Sequence, residues 1–233
     1  MYNVDRRQTF SNYLLSKNYD NICIAETWLT KEISENELFL PQYQCFLSNR
    51  KSSRKTTSHG GTMICVRRTI NSEQLFFDYD VNGSVTVCYI TLGQKNILIV
   101  CCYLPPENSK YAYKECHLNE LFRNIGNLQN RFNEVLIYGD FNFPTINWNS
   151  LSSSIDLENS FIGHIESQGL QQKVEFNTAV SGILDLFLVS ENVQVVSLSR
   201  MKGSNMSKLS NHYPFEITLS VESNNLLQRR CIT

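Results

Sequence analysis

Apolar residues follow two rhythms along this chain. Short β-branched runs alternate with longer stretches carrying an apolar residue every third or fourth position. That is the pattern of a mixed α/β domain. Residues 10–16 read as the end of a helix, and 22–26 as a buried strand that delivers Glu26 at its C-terminal end. Residues 62–67, 84–91 and 96–103 are three successive strand candidates, the last stopped by Pro105-Pro106. Over 115–132, Leu118, Leu121, Phe122, Ile125 and Leu128 recur at helical spacing, and 134–140 is again a buried strand. A second helix is predicted over 157–170, carrying Phe161, Ile162 and Ile165, with Gly169 as its stop signal. Strands at 183–189, 193–198 and 214–219 complete the series. Residues 49–61 and 202–211 have no apolar period and read as exposed loops, the first being the best local cationic patch.

With 233 residues, 42% of them hydrophobic, the chain can bury one large core. No repeat or break in composition divides it, so a single domain over 1–233 is expected, with residues 221–233 as a C-terminal tail. A formal net charge of -1 gives no global basic footprint, and any affinity for nucleic acid must come from a local patch. Of eight cysteines, Cys23, Cys65, Cys88, Cys101 and Cys102 sit in apolar, strand-like runs. Reduced, buried thiols and a reducing compartment are therefore expected rather than a disulfide framework. Cys101 and Cys102 would face opposite sides of a strand, which argues against structural zinc. No stretch has signal-peptide character and no run of about 18 apolar residues occurs, so the expected location is intracellular, nuclear or cytoplasmic, without a membrane span.

Asp140 and Asn142 follow an apolar run, two apart, with Gly139 ahead of them. On an extended chain both side chains leave the same side, where a carboxylate and an amide suit a water and a phosphoryl oxygen. The same residues also serve as ordinary turn and cap residues. Glu26 ends another buried run and needs exposure, a partner or a metal, or else acts as a helix cap. Asp185 lies in an apolar run, where a lone charge is costly, and His212 is its natural partner. An Asp that fixes the tautomer of a His makes a phosphate-facing imidazolium or a general acid/base, although backbone NH groups could satisfy the Asp instead. Tyr103 either offers its hydroxyl to a phosphate or packs against Pro105-Pro106. His59, His117 and His164 have no partners at ligand spacing and are expected to be surface or structural residues.

Taken in order, AETWL (25–29), GGTMICVRR (60–68), VCCYLPP (100–106), IYGDFNFPTINW (137–148), ILDLFLVS (183–190) and SNHYPFEI (210–217) resemble the endonuclease/exonuclease/phosphatase superfamily. More narrowly, they resemble the apurinic-type endonuclease domain of non-LTR (LINE-type) retrotransposons, for which the extension through Pro144 and Ile146 to Trp148 is characteristic. The resemblance implies a four-layered α/β sandwich, two mixed sheets face to face with helices outside, and a divalent metal, Mg²⁺ or Mn²⁺, at one end of the sheets. It implies that Glu26 binds the metal, Asp140 orients or deprotonates the attacking water, and Asn142 and Tyr103 hold the scissile phosphate. Asp185 would orient His212, which would stabilise the charge developing on phosphorus. The partner would be DNA, nicked to leave a 3′ hydroxyl. A catalytically dead binding remnant and a phosphodiesterase acting on lipid or another phosphoester are the alternatives.

Two departures from the family pattern bear on activity. Asn211 stands at a metal-site position where the family has Asp, which removes one negative charge and weakens an oxygen ligand. Residues 1–9 are also too few for the family's opening strand, so the fold is expected to lack it and to expose an edge or a neighbouring strand. No polymerase motif is present, and a reverse-transcriptase region is expected to be absent from this chain.

Overall fold

All seven residues of the run EVLIYGD (Glu134–Asp140) are buried, which demands cover on both faces of the strand they form. The computed structural model supplies that cover; it describes residues 4–27, 29, 40–48, 60–77, 85–106, 114–201, 211–221 and 227–232. Among these, the chain forms α1 (Val4–Lys17), β1 (Asn21–Ala25), β2 (Tyr43–Ser48), β3 (Thr62–Arg67), β4 (Asn71–Leu75), β5 (Val85–Leu92) and β6 (Lys95–Tyr103). Then come α2 (Lys114–Gln129), β7 (Glu134–Asp140), α3 (Asp156–Ser167), β8 (Leu170–Gln172), β9 (Asp185–Ser190), β10 (Gln194–Arg200), β11 (Phe215–Val221) and β12 (Leu227–Ile232).

The strands make two six-stranded mixed sheets, ordered β10-β11-β12-β1-β3-β2 and β4-β5-β6-β7-β9-β8. One apolar cluster joins Cys23, Ile64, Phe215 and Ile217 of the first sheet to Cys101, Tyr138 and Phe187 of the second, so the sheets pack face to face. A second cluster seats Leu118, Phe122 and Ile125 of α2 and Phe161 and Ile165 of α3 on the far face of the second sheet. A third sets Leu14 of α1 against Ile22, Tyr43, Met63 and Cys65 on the far face of the first. Helix, sheet, sheet, helix is the four-layered α/β sandwich expected.

The alternation of strand side chains accounts for the thiols. Cys101 packs between the sheets and Cys102 beneath the helices, and both are buried, as are Cys23, Cys65 and Cys88. The charge on buried Glu134 is met by Lys95, Nζ to Oε1 at 2.5 Å.

Strands β2, β4 and β8 were not anticipated from the sequence. β4 (NSEQL) is polar and half exposed, so it carries no strong apolar signal; it is held by pairing with β5. At the C-terminal end, residues expected as a tail contribute β12, which lies parallel to β1 and antiparallel to β11. The first strand among the described residues is β1, preceded by α1. In the first sheet β12 lies between β11 and β1 and pairs with both. Most of the cationic loop at 49–61 and of the loop at 202–211 lies outside the described residues, as do Trp28 and His59.

Candidate active site

Strands β6, β7 and β9 end together. Their register sets Tyr103 beside Asp140 across β6–β7 and Asp140 beside Asp185 across β7–β9. Alternation decides the side on which they emerge. Cys101, Tyr138 and Phe187 point between the sheets, and Tyr103, Asp140 and Asp185 are each two residues away on the same face. The close approach of β6 and β7 depends on Gly139, since a Cβ there would sit 2.2 Å from the carbonyl oxygen of Cys102.

Asn142 reaches the site differently from the same-side extended geometry expected. β7 ends at Asp140, and Asn142 turns left-handed at φ 51°. Its backbone NH donates to Asp140 Oδ1 at 3.1 Å, and its side-chain Nδ2 donates to the carbonyl of Leu104 at 2.9 Å. Lys114, at the start of α2, donates from Nζ to the Asn142 carbonyl at 2.8 Å and lies 3.9 Å from the centre of the Phe143 ring. Glu26, directly after β1, is also left-handed at φ 54°. Such a backbone costs on the order of 1 kcal/mol in a non-glycine residue and persists only where its surroundings impose it.

His212 is brought in by a bridge to Ala179. Its Nδ1 lies 2.6 Å from Asp185 Oδ2, and its Nε2 4.0 Å from Asp140 Oδ2. Since a carboxylate only accepts, Nδ1 carries the proton and Nε2 turns toward Asp140. Thr178, fully buried, ties the two supporting segments together. Its hydroxyl oxygen accepts from the backbone NH groups of Leu184 and Asp185, both at 2.9 Å, and its carbonyl accepts from Tyr213 NH at 2.6 Å. Neither Thr178 nor Lys114 was singled out by sequence, because a lone Thr or Lys gives no pattern until the fold places it.

Three carboxylates share this site with one imidazole. Burial lifts the Asp140 carboxyl well above the usual carboxylate range; Asp185 and Glu26 add to this, while His212 and the Asn142 NH oppose it. The hydrogen bond to Asp185 pushes His212 up to about 9 against the effect of burial, with the charges of Asp185, Asp140 and Glu26 reinforcing it. Glu26 is thus within electrostatic reach of both residues. Asp140, Asp185 and His212 each offer one ligand atom within 4.8 Å of the others, a group able to hold a metal ion. The oxygen-rich, negatively charged donor set fits a hard divalent cation. Asn211, next to this group in sequence, is exposed. Tyr103 is buried. His164 bonds Asn119 at 2.8 Å and stacks on Phe122, the structural part expected of it.

A cavity of about 850 Å³ is lined in part by Pro144, Trp148, Ile162, Asn177 and Gly182, and Asp140, Asp185 and His212 are not among its lining residues. Residues of the IYGDFNFPTINW extension form one of its walls.

Among solved structures, an AP endonuclease from Archaeoglobus fulgidus is similar over 92% of this chain and 94% of its own, with a TM-score of 0.69 and 14% identity. The endonuclease domain of TRAS1, a telomere-specific non-LTR retrotransposon, is similar over 95% of this chain and 96% of its own, with a TM-score of 0.65 and 12% identity. A 3′ phosphatase from Neisseria, bound to product DNA hairpin, is similar over 94% and 96%, with a TM-score of 0.66 and 15% identity. These likenesses establish the fold. No curated protein sequence matches the chain. The family model described as endonuclease-reverse transcriptase matches residues 97–216, the stretch that carries Tyr103, Asp140, Asn142, Asp185 and His212. The chain therefore belongs to the endonuclease-reverse transcriptase family, within the exonuclease/endonuclease/phosphatase superfamily.

Proposed function

We propose that this chain is a divalent-metal-dependent DNA endonuclease of retrotransposon type, which nicks one strand and leaves a 3′ hydroxyl. The observation that carries this reading is the Asp185–His212–Asp140 arrangement, with the His212 imidazole held between two carboxylates at 2.6 and 4.0 Å. Glu26 and Asn211, beside the Asp140 carboxylate of the cluster able to hold a metal ion, would hold the cation, Mg²⁺ or Mn²⁺, which when bound would supply Lewis acidity at a phosphate oxygen.

The chain's own residues do the rest. Asp140, whose carboxyl is lifted by burial, orients a water and takes its proton as the new P–O bond forms and the P–O3′ bond breaks. Asn142 and Tyr103 hold the phosphate. Asp185 fixes the His212 tautomer, so that a cationic Nε2–H faces the charge developing on phosphorus. A pre-oriented donor of this kind is typically worth about 3 kcal/mol. DNA as the substrate suits the kinship with nucleases and the DNA-bound relative. No helix among the described residues is long and apolar enough to cross a membrane.

The test is nicking of supercoiled plasmid, with and without abasic sites, in Mg²⁺ or Mn²⁺, comparing the native chain with Asp140→Ala, His212→Ala and Asn211→Asp. Nicks that prime a DNA polymerase, lost in the first two variants and enhanced in the third, are expected. A native chain that binds the plasmid but never cuts, with Asn211→Asp restoring cleavage, would convert the reading to that of a binding remnant. Undiminished cleavage by Asp140→Ala or His212→Ala would overturn the site.

A further inference from the structure

We propose that Cys45 and Cys65 are a redox modification site, closing into a reversible cross-strand disulfide when the chain meets a small-molecule disulfide. The two cysteines are register partners on antiparallel β2 and β3, with sulfur atoms 2.9 Å apart. Directly opposed residues of an antiparallel pair have Cα atoms about 4.5–5.5 Å apart, inside the span a disulfide bridges. The sulfurs need approach by less than about 1 Å to reach bonding distance. Both thiols lie on the face of the first sheet that packs toward α1, among Tyr43, Ile22 and Met63.

Their burial assigns the roles. Cys45 is only half-buried and can meet a reagent, whereas Cys65 is fully buried. The Cys45 thiolate attacks one sulfur of oxidised glutathione, releasing one glutathione thiol and forming a mixed disulfide. The Cys65 thiolate then attacks the Cys45 sulfur and releases the second. One S–S bond is made and one broken. The two cysteines lose two electrons and two protons, and the two glutathione thiols gain them. The bond would staple β2, the edge strand of its sheet, to β3, whose Thr62 pairs with Ala25 just before Glu26. Burial raises the thiols of Cys88 and Cys102, which disfavours them as competing nucleophiles.

The experiment treats the full reduced chain with oxidised glutathione, alkylates the remaining thiols under denaturing conditions, and maps non-reduced peptides by mass spectrometry. A Cys45–Cys65 linked peptide, two hydrogens lighter than the reduced pair, is expected, together with a rise in melting temperature that dithiothreitol reverses. Cys65→Ser should trap glutathione on Cys45, and Cys45→Ser should leave Cys65 a free thiol. If Cys65→Ser does not fold, native-chain mapping and Cys45→Ser decide. Full alkylation of both thiols, a stable glutathione adduct on native Cys45, or a link from either cysteine to Cys116 would each overturn the proposal.

Discussion

Asp140 and Asp185 face each other directly across the β7–β9 ladder, and His212 reaches both. Two carboxylates at adjacent strand ends repel, and the shared imidazolium relieves that repulsion while one of the pair fixes its orientation. Replacing Asp185 with Asn removes the hydrogen bond that does most to hold His212 protonated. The His212 titration, followed by the NMR shift of its ring protons, should move down from about 9. Cleavage should fall by about 10²–10³-fold near neutral pH, the range for loss of one oriented donor. An unmoved titration would remove Asp185 from its positioning role.

The same group links stability to pH. Its folded value, raised above the unfolded value of about 6.5, makes a contribution fully present below that pH and lost as pH rises through about 9. Asp140 acts in the same direction, because a raised carboxyl costs stability once it ionises. In chelator, native protein should therefore melt higher than His212→Gln at neutral pH, with the gap closing above about 9. A gap that widens with pH would contradict the assignment.

A cation should offset the crowding of carboxylates. Mg²⁺ or Mn²⁺ is expected to raise the melting temperature of the native chain, to do so less for Glu26→Gln and Asp140→Asn, and to do so more for Asn211→Asp. Calorimetric titration with Mn²⁺ checks the order of affinities independently of turnover.

Gly139→Ala should be severe. The added carbon would meet the Cys102 carbonyl at 2.2 Å and its sulfur at 2.6 Å, so β6 and β7 must separate. Overpacking of this kind typically costs about 1–3 kcal/mol, and backbone contact places this case at or beyond the upper end. Because the nearest atom is main chain, Cys102→Ala should not rescue it in a denaturation experiment.

Thr178→Val removes the acceptor for two backbone NH groups while keeping the shape. Buried donors left without partners cost about 1–3 kcal/mol. Since those donors belong to the segment that carries Asp185, cleavage should fall in the fraction that stays folded, and Thr178→Ser should restore both stability and rate. Loss of stability in the Ser variant but not in the Val variant would show that the methyl, not the hydroxyl, matters.

The elements with the strongest periodicity, α2, α3, β6, β7 and β9, were legible from sequence because each buries a regular face or, as in β7, both faces. So were the candidates Tyr103, Asp140 and Asp185, polar side chains that break the apolar pattern of β6, β7 and β9. β4 was not legible, being polar and held by its neighbour, and neither was Thr178, whose value lies in two NH groups that only the folded loop presents to it.

Sequence by itself determined the α/β class, the burial of the thiols and the candidate residues, because these follow from local pattern and from the cost of burying charge. Tertiary structure alone decided the rest. It aligned the ends of β6, β7 and β9 so that Tyr103, Asp140 and Asp185 emerge on one face, and it turned Asn142 left-handed, so that its NH meets Asp140. It also placed β12, from residues expected as a tail, between β11 and β1. Strand register and the pairing of distant segments are set by which hydrogen-bonding edges and apolar faces meet, and the chemistry of one residue's neighbours along the chain does not contain that information.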